Sequence, residues 1–112
     1  MSNVMDKAEI LDRLYAAIVS RRGGDPTVSY TAKLLGRGTA KIAQKFGEEA
    51  VEATIAAVMR DHENLVLESA DVLYHLMVLW ADAGVEPDAV WAELRRREGI
   101  SGIAEKKARP KT

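Results

Sequence analysis

The chain has no cysteine, which removes disulfides, thiolate metal sites and cysteine nucleophiles together. Only three prolines, Pro26, Pro87 and Pro110, interrupt it, and the stretches between them read as helices. Neither sign of charge dominates. Sixteen basic and seventeen acidic residues leave a formal net charge of -1, so no overall field draws the protein toward nucleic acid or an anionic membrane. No apolar run approaches the roughly 20 residues that span a bilayer. The first residues, Met1 to Asp6, lack the basic-then-apolar order of a signal peptide, and the expectation is a cytoplasmic protein. At 112 residues the chain is also too short for two domains or for a doubly wound sheet. What it does have is an ordinary globular balance, 47% hydrophobic and 29% charged, which argues against disorder. A domain this small buries a modest core, so self-association is expected.

Apolar residues recur at helical spacing from Asp6 to about Arg22, through Ile10, Leu11, Leu14, Tyr15, Ile18 and Val19. Asp6 and Glu9 have the spacing of a capping box. Gly23-Gly24-Asp25-Pro26 ends that helix. Ser29 caps a short helix to Leu35, closed by Gly36-Arg37-Gly38, and Thr39 reads as the N-cap of a long one to about Met59. Another runs from near Asp61 to Ala83 with Gly84 in the stop position, and Pro87 opens one ending near Arg97. There is no convincing strand and no internal repeat. The prediction is all-α, a bundle of four to five helices whose four-helix core is completed by dimerisation. Residues 1–98 form the domain, and 99–112 a mobile basic tail with little apolar periodicity.

The chemistry lies in the acids. Glu48, Glu49 and Glu52 fall on one predicted helix, and Glu68 and Asp71 on the next. At about 100° per residue, Glu48 and Glu52 lie about 40° apart around the helix, and Glu49 and Glu52 about 60° apart. Glu68 and Asp71 repeat the i, i+3 relation. The short connection makes the two helices antiparallel neighbours, so four or five carboxylates converge if those faces meet. A divalent cation relieves their repulsion, and hard Mg²⁺ prefers such oxygens. The plainer alternative is a solvated acidic face. Against it, Leu65, Val66, Leu67, Val72, Leu73 and Leu76 to Trp80 nearly encircle the second helix. They leave one narrow polar stripe through Asn64, Glu68, Asp71, His75 and Asp82. Lys33, Arg37, Lys41 and Lys45 precede the motif and suit phosphate oxygens, although each alone could be an ordinary surface cation. Gly47, just before Glu48, is either a point of close approach or a tolerated glycine.

Glu48-Glu49-Ala50-Val51-Glu52 followed by Glu68-Ser69-Ala70-Asp71 resembles the EExxE…ExxD signature of the all-α nucleotide pyrophosphatases, the MazG-like superfamily. Within it the chain is most similar to the phosphoribosyl-ATP pyrophosphatases of histidine biosynthesis. The resemblance rests on Ser29-Tyr30-Thr31-Ala32-Lys33-Leu34-Leu35, Lys41 to Glu49, Asp71-Val72-Leu73-Tyr74-His75-Leu76 and Ser101 to Lys107. It runs from about residue 6 to 109. Tyr30 stands where the family often has Trp.

The resemblance implies Mg²⁺-dependent hydrolysis of the α–β phosphoanhydride of phosphoribosyl-ATP to phosphoribosyl-AMP and pyrophosphate. It implies Glu49, Glu52, Glu68 and Asp71 as metal ligands, and Glu48 as the residue that binds a second metal or orients the water. Lys33, Lys41 and Lys45 would hold the pyrophosphate, and Ser29, Tyr30 and Thr31 the nucleotide end. Lys106, Lys107 and Arg109 would close on the distal phosphate. His75 is either a support for the metal ligands or a structural histidine. The implied architecture is a homodimer with its site near the subunit interface, and neither nucleic acid nor membrane as partner. A MazG-type (deoxy)nucleoside triphosphate pyrophosphatase stays open, as do a non-catalytic helical dimerisation module and a catalytic domain needing a partner.

Overall fold

The computed structural model describes residues 4–110, with side chains from Glu9 onward. Six helices follow in order: α1 (Val4–Ser20), α2 (Tyr30–Arg37), α3 (Thr39–Val58), α4 (His62–Ala83), α5 (Pro87–Arg97) and α6 (Gly102–Ala108). No strand occurs among the described residues. The all-α expectation holds. The Asp6 side chain of the expected capping box lies outside the described residues, and the helix itself begins at Val4.

Local chemistry sets most boundaries. The Ser29 hydroxyl accepts the Ala32 amide at 3.1 Å and starts α2, and the Asp61 carboxylate accepts the Asn64 amide at 3.1 Å to start α4. Gly84 closes α4 in the left-handed conformation with φ 74, where a side chain would be strained. Pro87 occupies the first turn of α5. The N-cap of α3 differs from expectation. Gly38, not Thr39, holds that position and has no side-chain cap bond. The Thr39 hydroxyl instead donates to Asp82 Oδ2 at 2.6 Å, tying the start of α3 to the end of α4. A tertiary partner has taken a group that local spacing assigned to capping.

α3 and α4 form an antiparallel hairpin and pack on each other more extensively than any other pair. Its turn places Arg60 at φ 58, and the Asp61 and Arg60 amides reach back to the Ala56 and Ala57 carbonyls. The core sits at the open end of this hairpin, where Tyr15 and Ile18 of α1, Leu34 of α2 and Ile42 of α3 meet Met77, Val78 and Ala81 of α4. All four helices belong to one chain. Toward the turn, the apolar side chains Val51, Ile55, Val58, Val66, Leu67 and Leu73 are exposed.

α5 leans on this body through Trp91, whose ring meets Trp80 edge-on at 5.8 Å. The segment 99–112, expected as a mobile tail, contains the helix α6, capped by the Ser101 hydroxyl on the Ala104 amide. Glu105 of α6 is only 5% exposed. Its carboxylate accepts from Arg96 at 2.6 Å and Arg109 at 3.1 Å. Residues 111 and 112 of that segment lie outside the described residues.

Candidate active site

The hairpin register brings the two acidic motifs together. One carboxylate oxygen each from Glu49, Glu68 and Asp71 lies within 4.8 Å of the others. Glu49 comes from the middle of α3, and Glu68 and Asp71 from successive turns of α4, so three acceptors converge across the hairpin. The Glu68 carboxyl is the most constrained. Its Oε2 is buried without a hydrogen-bond partner. Burial pushes its pKa up to about 7, and the adjoining carboxylates of Glu52 and Glu49 push the same way. A buried acceptor with no donor is costly, and this one is surrounded by further acceptors. The donor set, carboxylates only and one of them orphaned, fits a hard divalent cation.

Glu52 stands against Glu68 but outside the three-carboxylate group. Glu48 points elsewhere: its carboxylate accepts from Gln44 Nε2 at 2.9 Å and pairs with Lys45 Nζ at 3.2 Å. Those contacts hold its pKa below the usual range. Lys45 also feels Tyr30 and Glu49, and its pKa is raised chiefly by the Glu48 contact. It therefore stands at the edge of the acidic group. Lys41 acts on Glu48 from about two turns earlier. Lys33 belongs to a different place, a cleft that shares no residue with the acidic group.

The expected nucleotide contacts are engaged inside the protein. The Ser29 hydroxyl caps α2. The Thr31 hydroxyl and Tyr74 OH are 2.5 Å apart. Tyr30 OH lies 3.2 Å from His75 Nε2, and His75 Nδ1 lies 2.8 Å from the Asp71 carbonyl oxygen. With that carbonyl as acceptor, Nδ1 is the donor of the second bond. His75 is buried in this chain of bonds, bracing the turn of α4 that presents Asp71. The spacing Asp71 to His75, one helical turn, was its signal in the sequence. Tyr74 was missed as a partner of Thr31, because nothing local marks a contact across 43 residues. The Tyr30 ring remains half exposed.

The sequence model of the phosphoribosyl-ATP pyrophosphohydrolase family matches residues 11–98. The chain belongs to that family. A relative from Azospirillum brasilense named phosphoribosyl-ATP pyrophosphatase is 68% identical over 102 residues, covering 91% of this chain and 92% of its own. Proteins of the same name from Rhodospirillum rubrum and Paramagnetospirillum magneticum are 67% and 64% identical, over 92% and 93% of this chain and 88% and 95% of theirs. The matched segment contains α2 to α5 and so both acidic motifs, while α6 lies beyond it. No described helix is long and apolar enough to cross a membrane.

Proposed function

We propose that this chain hydrolyses the α–β phosphoanhydride of phosphoribosyl-ATP, releasing phosphoribosyl-AMP and pyrophosphate, as a step of histidine biosynthesis. The observation that carries the reading is the convergence of Glu49, Glu68 and Asp71 around the orphaned Glu68 oxygen in a member of this family. Those three residues, with Glu52 beside Glu68, are the side chains that would hold Mg²⁺. Bound there, the ion supplies charge neutralisation for the phosphates and acidifies a coordinated water. Lys45 and Lys41, at the edge of the acids, face the pyrophosphate end. Glu48 keeps Lys45 in place through the 3.2 Å ion pair. The exposed Tyr30 ring offers a stacking face to the nucleotide base, and its hydroxyl, bound to His75, fixes the ring.

A second copy of the chain covers the apolar face near the hairpin turn. Val51, Ile55 and Val58 follow one stripe of α3, and Glu52 lies within that stripe, so a partner there borders the metal ligands. A solvated surface rarely carries such a contiguous row. Sedimentation at micromolar concentration tests it, and an active monomer would refute the homodimer.

Incubation with phosphoribosyl-ATP and Mg²⁺, assayed for pyrophosphate, tests the reaction. Turnover is expected to stop in excess chelator and return with Mg²⁺, and to exceed that of dATP, dUTP or ATP. Faster hydrolysis of a simple deoxynucleoside triphosphate would overturn the substrate assignment.

A further inference from the structure

A cleft of about 490 Å³ opens between the loop after α1 and the outer face of α2. Its floor is Pro26, Ala32 and Leu35, and its rim carries Arg22, Lys33 and Arg37. Three cations and no acid line it. The carboxylate of the loop, Asp25, does not line the cleft, and its Oδ1 accepts from the Thr27 amide at 2.9 Å and the Thr27 hydroxyl at 2.7 Å. Arg22 is fixed in the wall by donating to the Ala81 carbonyl at the end of α4. Lys33 and Arg37 have no ion-pair partner among the described residues. Around Glu93 and Glu105, by contrast, Arg96, Arg97 and Arg109 are each paired with a carboxylate. The loop is built for close approach to α2: a Cβ on Gly24 would stand 3.0 Å from the Arg21 carbonyl oxygen and 3.6 Å from Ala32 Cβ.

We infer that this cleft binds a pentose phosphate, with the apolar floor under the sugar and Arg22, Lys33 and Arg37 on the phosphate monoester. An apolar floor with a few convergent polar groups is the usual make-up of a small-molecule site. Planar guanidinium groups match the phosphate oxygens in pairs. The cleft also lies on the helix whose first residue, Tyr30, reaches His75 and through it the turn that carries Asp71. Tyr30, Lys33 and Arg37 fall on adjoining positions of α2, with Arg37 about 10 Å along the axis from Tyr30. Resting on the proposed reaction, the inference assigns the cleft to the second ribose phosphate of phosphoribosyl-ATP, at the far end of the adenine from the scissile bond. That group distinguishes this substrate from an ordinary nucleoside triphosphate. A separate sugar phosphate offers the same chemistry, and the test separates the two.

Ribose 5-phosphate, titrated into the full chain without Mg²⁺ or nucleotide, is expected to shift the amide resonances of residues 22–26 and 32–37. The exposed double variant K33A/R37A should lose those shifts while keeping the wild-type melting temperature. Absence of shifts there, or their survival in the double variant, would overturn the site. In steady state, each single variant should raise KM for phosphoribosyl-ATP by about tenfold, the typical weight of one charged hydrogen bond. ATP turnover should change far less, and ribose 5-phosphate should compete with the phosphoribosyl substrate. An unchanged KM in a variant that has lost ribose 5-phosphate would support the site but refute the substrate's own phosphate as its occupant. A wild type that binds ribose 5-phosphate and fails to hydrolyse phosphoribosyl-ATP would count against the proposed reaction and leave the cleft standing.

Discussion

Two glutamates, Glu105 buried and Glu68 with one buried carboxyl oxygen, stand in opposite electrostatic surroundings. Glu105, between α5 and α6, has its carboxylate filled by Arg96 and Arg109, with Arg97 at 3.9 Å. These contacts hold its pKa below the usual carboxylate range, Arg96 contributing most. Glu68, in the α3–α4 hairpin, faces Glu49, Glu52 and Asp71, and its pKa rises to about 7. The first group is complete within the protein. The second is complete only when something cationic is added, and that incompleteness is what marks it as a site. The same residue type thus serves cohesion in one place and chemistry in the other, according to its neighbours.

The largest effect should come from neutralising the incomplete group. Glu49→Gln, Glu68→Gln and Asp71→Asn are each expected to lower pyrophosphate release on the order of 10²–10³-fold, as loss of a group stabilising transition-state charge does. Glu68→Gln should at the same time raise the melting temperature of the metal-free protein, because the orphaned buried charge is gone. Activity lost together with the fold would mean that the acids are structural, and the contrast with Glu105 would collapse.

Glu105→Gln is expected to do the reverse. Removing the charge leaves Arg96 and Arg109 without their common partner, and breaking such a pair on one side is destabilising. The melting temperature should fall by several degrees, with hydrogen exchange of the α6 amides accelerating first. Turnover should stay closer to wild type than in the Glu68 variant. An unchanged α6 would show that this helix is held by its local cap alone.

The pH dependence follows from the signs. Glu68 is raised in the folded state, so between about pH 4.5 and 7 the native protein binds more protons than the unfolded chain. Stability of the metal-free protein therefore declines as pH rises through that window. Glu93 is lowered to about 2, first by its bonds with Arg96 and then with Arg97. Its contribution is present above about pH 4.5 and is lost as pH falls toward 2. Urea midpoints in chelator should peak near pH 5, and Glu68→Gln should flatten the alkaline limb only. Parallel curves for wild type and variant would place the decline elsewhere.

How much of this was legible in the sequence depends on the range of the interaction. The helices α1 to α5 were readable because apolar periodicity and caps such as Ser29, Asp61, Gly84 and Pro87 act within a few residues. The acidic group was readable because i, i+3 spacing on two joined helices leaves little freedom. Helix α6 was not, since seven residues with Ile103 as the one large apolar side chain have no periodic face, and its anchor Glu105 reaches Arg96 across the α5–α6 loop. Thr39 was assigned to capping because Asp82, 43 residues away, has no local signature. Lys33 and Lys45 looked alike in the sequence, and only the packing of α2 separates the cleft from the acids.

The smallest expected effect is at Glu48, and it sharpens the comparison because Glu48 adjoins Glu49. Both glutamates lie on the same turn of α3, yet rotation by one residue sends Glu48 to Gln44 and Lys45 while Glu49 joins Glu68 and Asp71. Glu48 is thus an acid paired with donors beside one that joins other carboxylates. Its pairing is exposed, and exposed i, i+3 pairs add little to stability. Glu48→Gln should leave the melting temperature nearly unchanged. It still removes the charge that steadies Lys45, which borders the pyrophosphate end of the proposed site. Binding should suffer more than chemistry, so KM rises a few-fold and kcat changes little. A Lys45→Gln variant should show the same pattern, and the double variant little more than either alone, since each single change already breaks the pair. Should Glu48→Gln instead lower kcat as far as Glu49→Gln does, Glu48 acts on the water or a second metal, as the family signature implies, and its contact with Lys45 belongs to the metal-free protein only.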